Sequence, residues 1–199
     1  MFDVALRRLV DPALIRIAGW LADARISANA LTISGAGLGL GSAFFITQSN
    51  FVAALGFIVL NRIFDGLDGA IARINGPTEF GGYLDTICDY IFYLSVPIAF
   101  GLGAPANELP ALFLVASFTL TAVSFLAFAA IAARNSSDDS HGQKAFIYST
   151  GLMEGGETIA FFILFCLFPA YFQTLAIVFA ALCLLTVVQR IVLAAKSFR

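Results

Sequence analysis

Six apolar runs dominate this chain, at about 29–48, 51–73, 81–102, 109–133, 151–168 and 172–195. Each is near the roughly 20 residues that a helix needs to cross a bilayer. The links between them are short and are polar or contain Gly and Pro: Gln48-Ser49-Asn50, Asn75-Gly76-Pro77, Ala104-Pro105-Ala106-Asn107 and the longer stretch from Asn135 to Gln143. Charged residues make up 12% of the chain and hydrophobic ones 60%, against roughly 25% charged in a soluble domain. A soluble protein of this size could not hide so much apolar surface. The expected architecture is therefore all-α: a polytopic membrane helical bundle of six transmembrane helices, forming one membrane domain over 1–199. Glu154, Gly155, Gly156 and Glu157 weaken the start of the fifth run.

Residues 1–25 read differently. Leu6, Val10, Leu14, Ile17 and Leu21 recur at helical steps, with Arg7, Arg8, Arg16 and Arg25 among them. Asp11-Pro12 suits an N-cap followed by the first helical position, and Trp20 suits an interfacial level. An amphipathic helix on the membrane surface is expected. Charges run through this stretch, so no compact apolar core of a cleavable signal peptide is expected.

Lys and Arg set the orientation. With six spans, Arg7, Arg8, Arg16, Arg25, Arg73, Arg134, Lys144, Lys196 and Arg199 share one side, and the loops of the other side carry no Lys or Arg. The positive-inside rule places both termini in the cytoplasm, and the expected location is a bacterial inner (cell) membrane. Cys88, Cys166 and Cys183 lie in apolar stretches and read as packing residues, although Cys88 adjoins an acidic site. His141 sits in a polar loop and reads as solvated. The many Phe residues read as packing or lipid-facing. Ser34, Gly35, Gly37, Gly39 and Gly41 would permit close helix packing.

Against this background four carboxylates stand out: Asp65, Asp68, Asp85 and Asp89. An acid in hydrocarbon costs several kcal/mol unless compensated and marks a functional site by default. Asp65, Asp68, Gly69 and Ala72 stand at i, i+3, i+4 and i+7, on one helix face. Asp85 and Asp89 share a face, with Gly81 four residues before. The short link from Arg73 to Gly81 predicts that the second and third spans are antiparallel neighbours, so the two acidic pairs can converge at the cytoplasmic ends. Converging oxygen donors without His or Cys suit Mg²⁺ or Mn²⁺, and the count suits two ions. Two such ions neutralise a diphosphate; Asp89 could instead take a proton from an acceptor hydroxyl. Arg73 could contact phosphate or a carboxylate. Arg62 and Arg190 lie deep in their spans and are expected to face the bundle interior or a wet cavity. A divalent-cation transporter or channel is the alternative function, but its acids would need a path to both faces.

The stretch from Asp65 to Asp89 resembles the signature of the CDP-alcohol phosphotransferases, DxxDGxxAR…GxxxDxxxD. Asp65, Asp68, Gly69, Ala72, Arg73, Gly81, Asp85 and Asp89 fill every fixed position. The spacer between Arg73 and Gly81 is one residue shorter than is common. Ser27-Ala28-Asn29-Ala30-Leu31-Thr32 is similar to the opening of the family's first span. The resemblance implies a homodimeric membrane enzyme that binds CDP-diacylglycerol and a small alcohol, not nucleic acid. The alcohol attacks the lipid-side phosphate and CMP leaves. It implies metal ligation by Asp65, Asp68 and Asp85, and a second metal or a proton for Asp89. Gly69, Ala72 and Arg73 would lie against the nucleotide, with Asn29 and Thr32 as its neighbours. The acceptor is left open among glycerol 3-phosphate, inositol phosphate, serine and a choline-type alcohol. Arg134, Lys144, Glu157 and Arg190 are the candidate acceptor contacts, and Glu154 and Glu157 could alternatively pair with Arg190.

Overall fold

Three of the helices begin where a side chain satisfies one of their first free amides. The structure, a computed structural model, describes residues 14–135 and 152–198. A short helix α1 over 14–23 leads into α2 (Ala28–Thr47), whose cap Ser27 accepts a hydrogen bond from the Ala30 amide at 3.2 Å. Asn50 caps α3 (Phe51–Asn75) and Thr78 caps α4 (Glu79–Gly103) in the same manner, at 3.2 and 3.0 Å. Side-chain caps of this kind are each worth roughly 1 kcal/mol. Helices α5 (Glu108–Asn135) and α7 (Phe172–Ser197) each follow a proline-led 3-10 turn, and α6 (Gly155–Leu167) lies between them. Gly76 joins α3 to α4 with φ at +93°, in the left-handed region that favours glycine.

These limits reproduce the expected runs closely, with one correction. The fifth run was expected over 151–168, but its helix has only 13 residues. At ~1.5 Å per residue it is about 20 Å long, short of the roughly 30 Å hydrocarbon core. Glu154 is extended and the Gly155-Gly156 pair follows it, which delays the start. Among the described residues, four segments are long and apolar enough to cross a membrane: Ala28–Thr47, Glu79–Gly103, Pro105–Arg134 and Pro169–Ser197. Helix α3 matches them in length but carries Arg62, Asp65, Asp68 and Arg73 along its second half. The molecule is a helical membrane bundle.

The helix pairing also departs from expectation. Helices α3 and α4 pack principally on α2 and not on each other. The reason is in the side chains. Carboxylates project between α3 and α4, whereas α2 presents glycines to both. The Gly35 carbonyl accepts from Asn61 Nδ2 of α3 at 2.8 Å, and Gly39 lies against the fully buried Phe92 of α4. Close backbone approach through small residues is how helices associate where lipid removes the hydrophobic driving force. On the other side α5 runs along α7 and also contacts α4. A phenylalanine core fills the interior: Phe92, Phe162, Phe165, Phe172 and Phe179 are fully buried, and Phe100 stacks on Phe172 at 4.4 Å.

A Cβ at position 39 would lie 2.8 to 3.1 Å from three atoms of Phe92, whereas one at position 37 meets nothing within 4 Å. Gly39→Ala is therefore expected to destabilise the bundle by about 1–3 kcal/mol through overpacking, and Gly37→Ala to leave it unchanged. Thermal unfolding in detergent reads the difference; equal melting temperatures for the two variants would refute this packing.

Only part of the expected surface helix lies within the described residues, and Asp11-Pro12 lies outside them. Over 14–23 the expected apolar stripe is covered only in part, since Ile17 is 42% exposed. Ala18 is buried, and Leu14 and Leu21 pack with Leu67, Ala70 and Ile71 of α3. Trp20 is 71% exposed. Leu14 rests on Gly66, between two of the signature aspartates.

Candidate active site

The aspartates are set by two helices that diverge from Gly76. Asp65 and Asp68 come from the second half of α3, Asp85 and Asp89 from the first half of α4. All four line one narrow crevice with Thr32, Asn61, Arg62 and Cys88. Within it, single oxygens of Asp65, Asp85 and Asp89 lie within 4.8 Å of one another. Asp68 is 5% exposed and faces α2, where its Oδ2 accepts a 2.6 Å hydrogen bond from Thr32 Oγ1. The expected convergence of four acids thus resolves into three grouped carboxylates and a fourth held at their side.

Arg62 supplies the compensation that such a cluster needs. It stands one turn before Asp65 on α3. Its Nη2 donates to Asp89 Oδ1 at 2.9 Å, and its Nη1 lies 3.4 Å from Asp65 Oδ2. Its Nε donates to Asn61 Oδ1 at 2.8 Å, and Asn61 in turn holds the α2 backbone at Gly35. The guanidinium also lies 5.0 Å from the centre of the Phe92 ring and 5.6 Å from that of Tyr93. One arginine therefore ties α3 to α4 across the gap that the carboxylates keep open. Arg62→Leu is expected to cost about 1.5–3 kcal/mol, the value of a hydrogen bond to a charged group. Arg62→Lys should recover only part of this, because it keeps the charge and loses the planar fork. Unfolding of both variants in detergent checks this, and a leucine variant as stable as wild type would contradict it.

The remaining signature positions surround the crevice. Arg73 is exposed, and its Nη1 would lie 3.6 Å from a Cβ at Gly69, so it reaches back over the small face of α3. A Cβ at Gly81 would stand 2.9 Å from Thr78 Oγ1 and 3.3 Å from Asn29 Oδ1. Glycine there lets the cap of α4 and the start of α2 meet. Thr32 also donates to the Ala28 carbonyl at 3.1 Å. Ala72 is half-buried on the same helix.

Among the described residues, the expected acceptor contacts do not line one space together. Arg134 is exposed at the end of α5, and Lys144 lies outside the described residues. Glu157 sits in the first turn of α6. Arg190 alone of the four lines a second cavity, of about 330 Å³, together with Tyr90, Tyr93, Thr121, Glu154 and Thr158. Arg190 Nη1 donates to the Thr121 carbonyl at 2.9 Å and to Ser124 Oγ at 3.3 Å, and Glu154 lines the same cavity. Tyr93 joins the two spaces. It lines this cavity, and its hydroxyl makes a long, 3.4 Å hydrogen bond to Asp89 Oδ2. Sequence reasoning did not single out Tyr93. The signal was its position four residues after Asp89, one turn along the same face.

Grouped carboxylate oxygens are a donor set suited to a hard divalent cation. Comparison with known proteins agrees with that chemistry. The chain is 42% identical over 193 residues to the inner membrane protein YnjF of Escherichia coli, covering 96% of this chain and 94% of the relative. It is 38% identical over 95 residues to an archaetidylinositol phosphate synthase of Methanothermobacter thermautotrophicus, covering 44% and 42% of the two chains. The fold matches the phosphatidylinositol phosphate synthase of Mycobacterium tuberculosis, solved with CDP-DAG bound (TM-score 0.65, 23% identity, 89% of this chain and 91% of that one). It also matches that protein in complex with manganese and citrate (TM-score 0.68, 22% identity, 90% and 88%). Residues 25–195 match the family model for CDP-alcohol phosphatidyltransferase, so this integral membrane protein belongs to the CDP-alcohol phosphatidyltransferase family of enzymes.

Proposed function

We propose that the protein transfers a phosphatidyl group from CDP-diacylglycerol to a small alcohol and releases CMP. The observation that carries this reading is the grouping of Asp65, Asp85 and Asp89 within 4.8 Å, beside Asp68, in a bundle of apolar helices. A related fold that holds CDP-DAG in one structure and manganese in another supports it.

In this reading Asp65, Asp68 and Asp85 would hold one divalent ion, Mg²⁺ or Mn²⁺, and Asp89 would share a second. Bound there, the ions would neutralise the diphosphate and stabilise the charge that develops on the leaving group. The small face formed by Gly69 and Ala72 admits the nucleotide close to the α3 backbone. Arg73 binds its phosphate, and Asn29 and Thr32 border it from α2. Thr32 also fixes the orientation of Asp68. The acceptor oxygen bonds to the lipid-side phosphorus. The bond from that phosphorus to the bridging oxygen breaks, and its electron pair leaves with CMP. Asp89 takes the hydroxyl proton. Arg62, bonded to Asp89, keeps this carboxylate aimed across the crevice.

The same reading gives one membrane domain of six passes, counting α3 with the four long apolar segments and α6 as a shorter pass that packs its Phe162 and Phe165 into the bundle. The aspartates face the cytoplasm in a bacterial inner membrane, where a nucleotide is available, and the enzyme acts as a homodimer. The test is CMP release by purified protein from CDP-diacylglycerol in mixed micelles with Mg²⁺ or Mn²⁺, across alcohols of each class. Release that depends on an added alcohol and yields the matching phospholipid is expected. No release with any alcohol would overturn the reading.

A further inference from the structure

Arg62 stands on the ground that a second divalent ion would need. Its Nη2 holds Asp89 Oδ1 at 2.9 Å, and its Nη1 lies 3.4 Å from Asp65 Oδ2. Both acids belong to the group of three whose oxygens lie within 4.8 Å of one another. The other oxygen of Asp89 accepts the long bond from Tyr93 Oη at 3.4 Å. Asp68 instead accepts from the neutral Thr32 hydroxyl. Among the described residues, the ion pairs of the crevice reach Asp65 and Asp89 but neither Asp68 nor Asp85. The arginine is also anchored apart from the acids. Its Nε donates to Asn61 Oδ1 at 2.8 Å, and its guanidinium lies 5.0 Å from the centre of the Phe92 ring. A guanidinium does not shed its proton in a protein, so this positive charge is permanent.

The charged residues lining the crevice are Arg62 and the four aspartates. Carboxylates that ligate metal are ionised. Arg62 and one divalent ion then leave a single negative charge uncompensated. A second divalent ion would turn the crevice positive. It would also stand beside a fixed guanidinium, away from bulk water, where like charges repel strongly. A bound diphosphate diester changes this balance. It brings about two negative charges and further oxygen donors, and Mg²⁺ is typically held by one or two carboxylates together with substrate phosphates. Two ions, Arg62 and the diphosphate again leave the crevice with a single negative charge. An uncharged side chain at position 62 would remove the repulsion and would free Asp89 Oδ1 to ligate before any substrate arrives.

We propose that Arg62 serves as the second cation of the substrate-free enzyme. It holds Asp89 and Asp65 so that the free protein takes one divalent ion tightly, and it shares these acids with a second ion only when a diphosphate is bound. The proposal rests on the phosphatidyl-transfer reading and adds an order to its metal binding. It is tested by counting the Mn²⁺ bound to purified protein in detergent, from the electron paramagnetic resonance signal of the free ion. The titration is run with and without CDP-diacylglycerol, and without any acceptor alcohol. Substrate-free wild type is expected to bind one Mn²⁺ tightly and a second about tenfold or more weakly; with CDP-diacylglycerol it should bind two tightly. Arg62→Gln should strengthen the second binding in substrate-free protein about tenfold or more, the scale on which one adjacent charge shifts a carboxylate's hold on a proton. Arg62→Lys, which keeps the charge, should retain the wild-type count. If Arg62→Gln fails to elute as folded protein, the wild-type counts carry the test. Two equally tight ions in substrate-free wild type overturn the proposal and leave phosphatidyl transfer standing. So does a single ion with and without CDP-diacylglycerol, or an unchanged second affinity in folded Arg62→Gln. Absence of CMP release with every alcohol overturns the transfer reading itself.

Discussion

Asp89→Asn is expected to lower CMP release by about 10²–10⁴-fold or more, the contribution of a positioned general base. The substitution is nearly isosteric. Its amide oxygen can still accept from Arg62 Nη2, which now bonds the carboxylate at 2.9 Å, so the tie between α3 and α4 survives. Loss of turnover should therefore come with an unchanged elution profile and only a small shift in melting temperature. That separation gives the experiment its force, because a structural carboxylate would lose stability and activity together. Wild-type turnover in folded Asp89→Asn protein would remove Asp89 from the reaction.

Removal of divalent ions with EDTA is expected to abolish CMP release, with Mg²⁺ or Mn²⁺ restoring it. Electrostatic stabilisation of a leaving phosphate contributes on the order of 10²–10³-fold or more, and here no other described cation stands beside the grouped acids except Arg62, already shared by Asp65 and Asp89. Metal binding should also raise the melting temperature, since it relieves repulsion among Asp65, Asp85 and Asp89. Asp85→Asn should blunt that rise without unfolding the protein, because Asp85 is exposed at the crevice. Full activity after exhaustive chelation would exclude the metal role.

The fold was legible because a bilayer leaves few solutions. Apolar runs of span length can satisfy their amides only as helices, so α2, α3, α4, α5 and α7 begin and end within a few residues of the expected limits. The fifth run was overestimated because hydropathy counts Leu152 and Met153, while the Glu154-Gly155-Gly156 sequence starts the helix later. The acidic site was legible because carboxylates are rare in such segments and their spacing on two helices is specific. Its internal arrangement was not. Sequence spacing treats Asp65 and Asp68 alike, yet Thr32, 36 positions earlier in the chain, draws Asp68 aside.

Two further features depended on the third dimension. Arg62 and Tyr93 become site residues only because α4 brings Asp89 and Tyr93 against α3. Likewise Arg190 near the end of α7 and Glu154 before α6 meet at one cavity only through packing of α4, α5, α6 and α7. Local sequence determined the helices, their membrane setting and the four aspartates, since each follows from hydropathy and helical period within about 25 residues. Tertiary structure alone decided which charges compensate one another and which cavity adjoins the acids. Those outcomes depend on glycines of α2 that admit two other helices, and no local pattern records where such helices will cross.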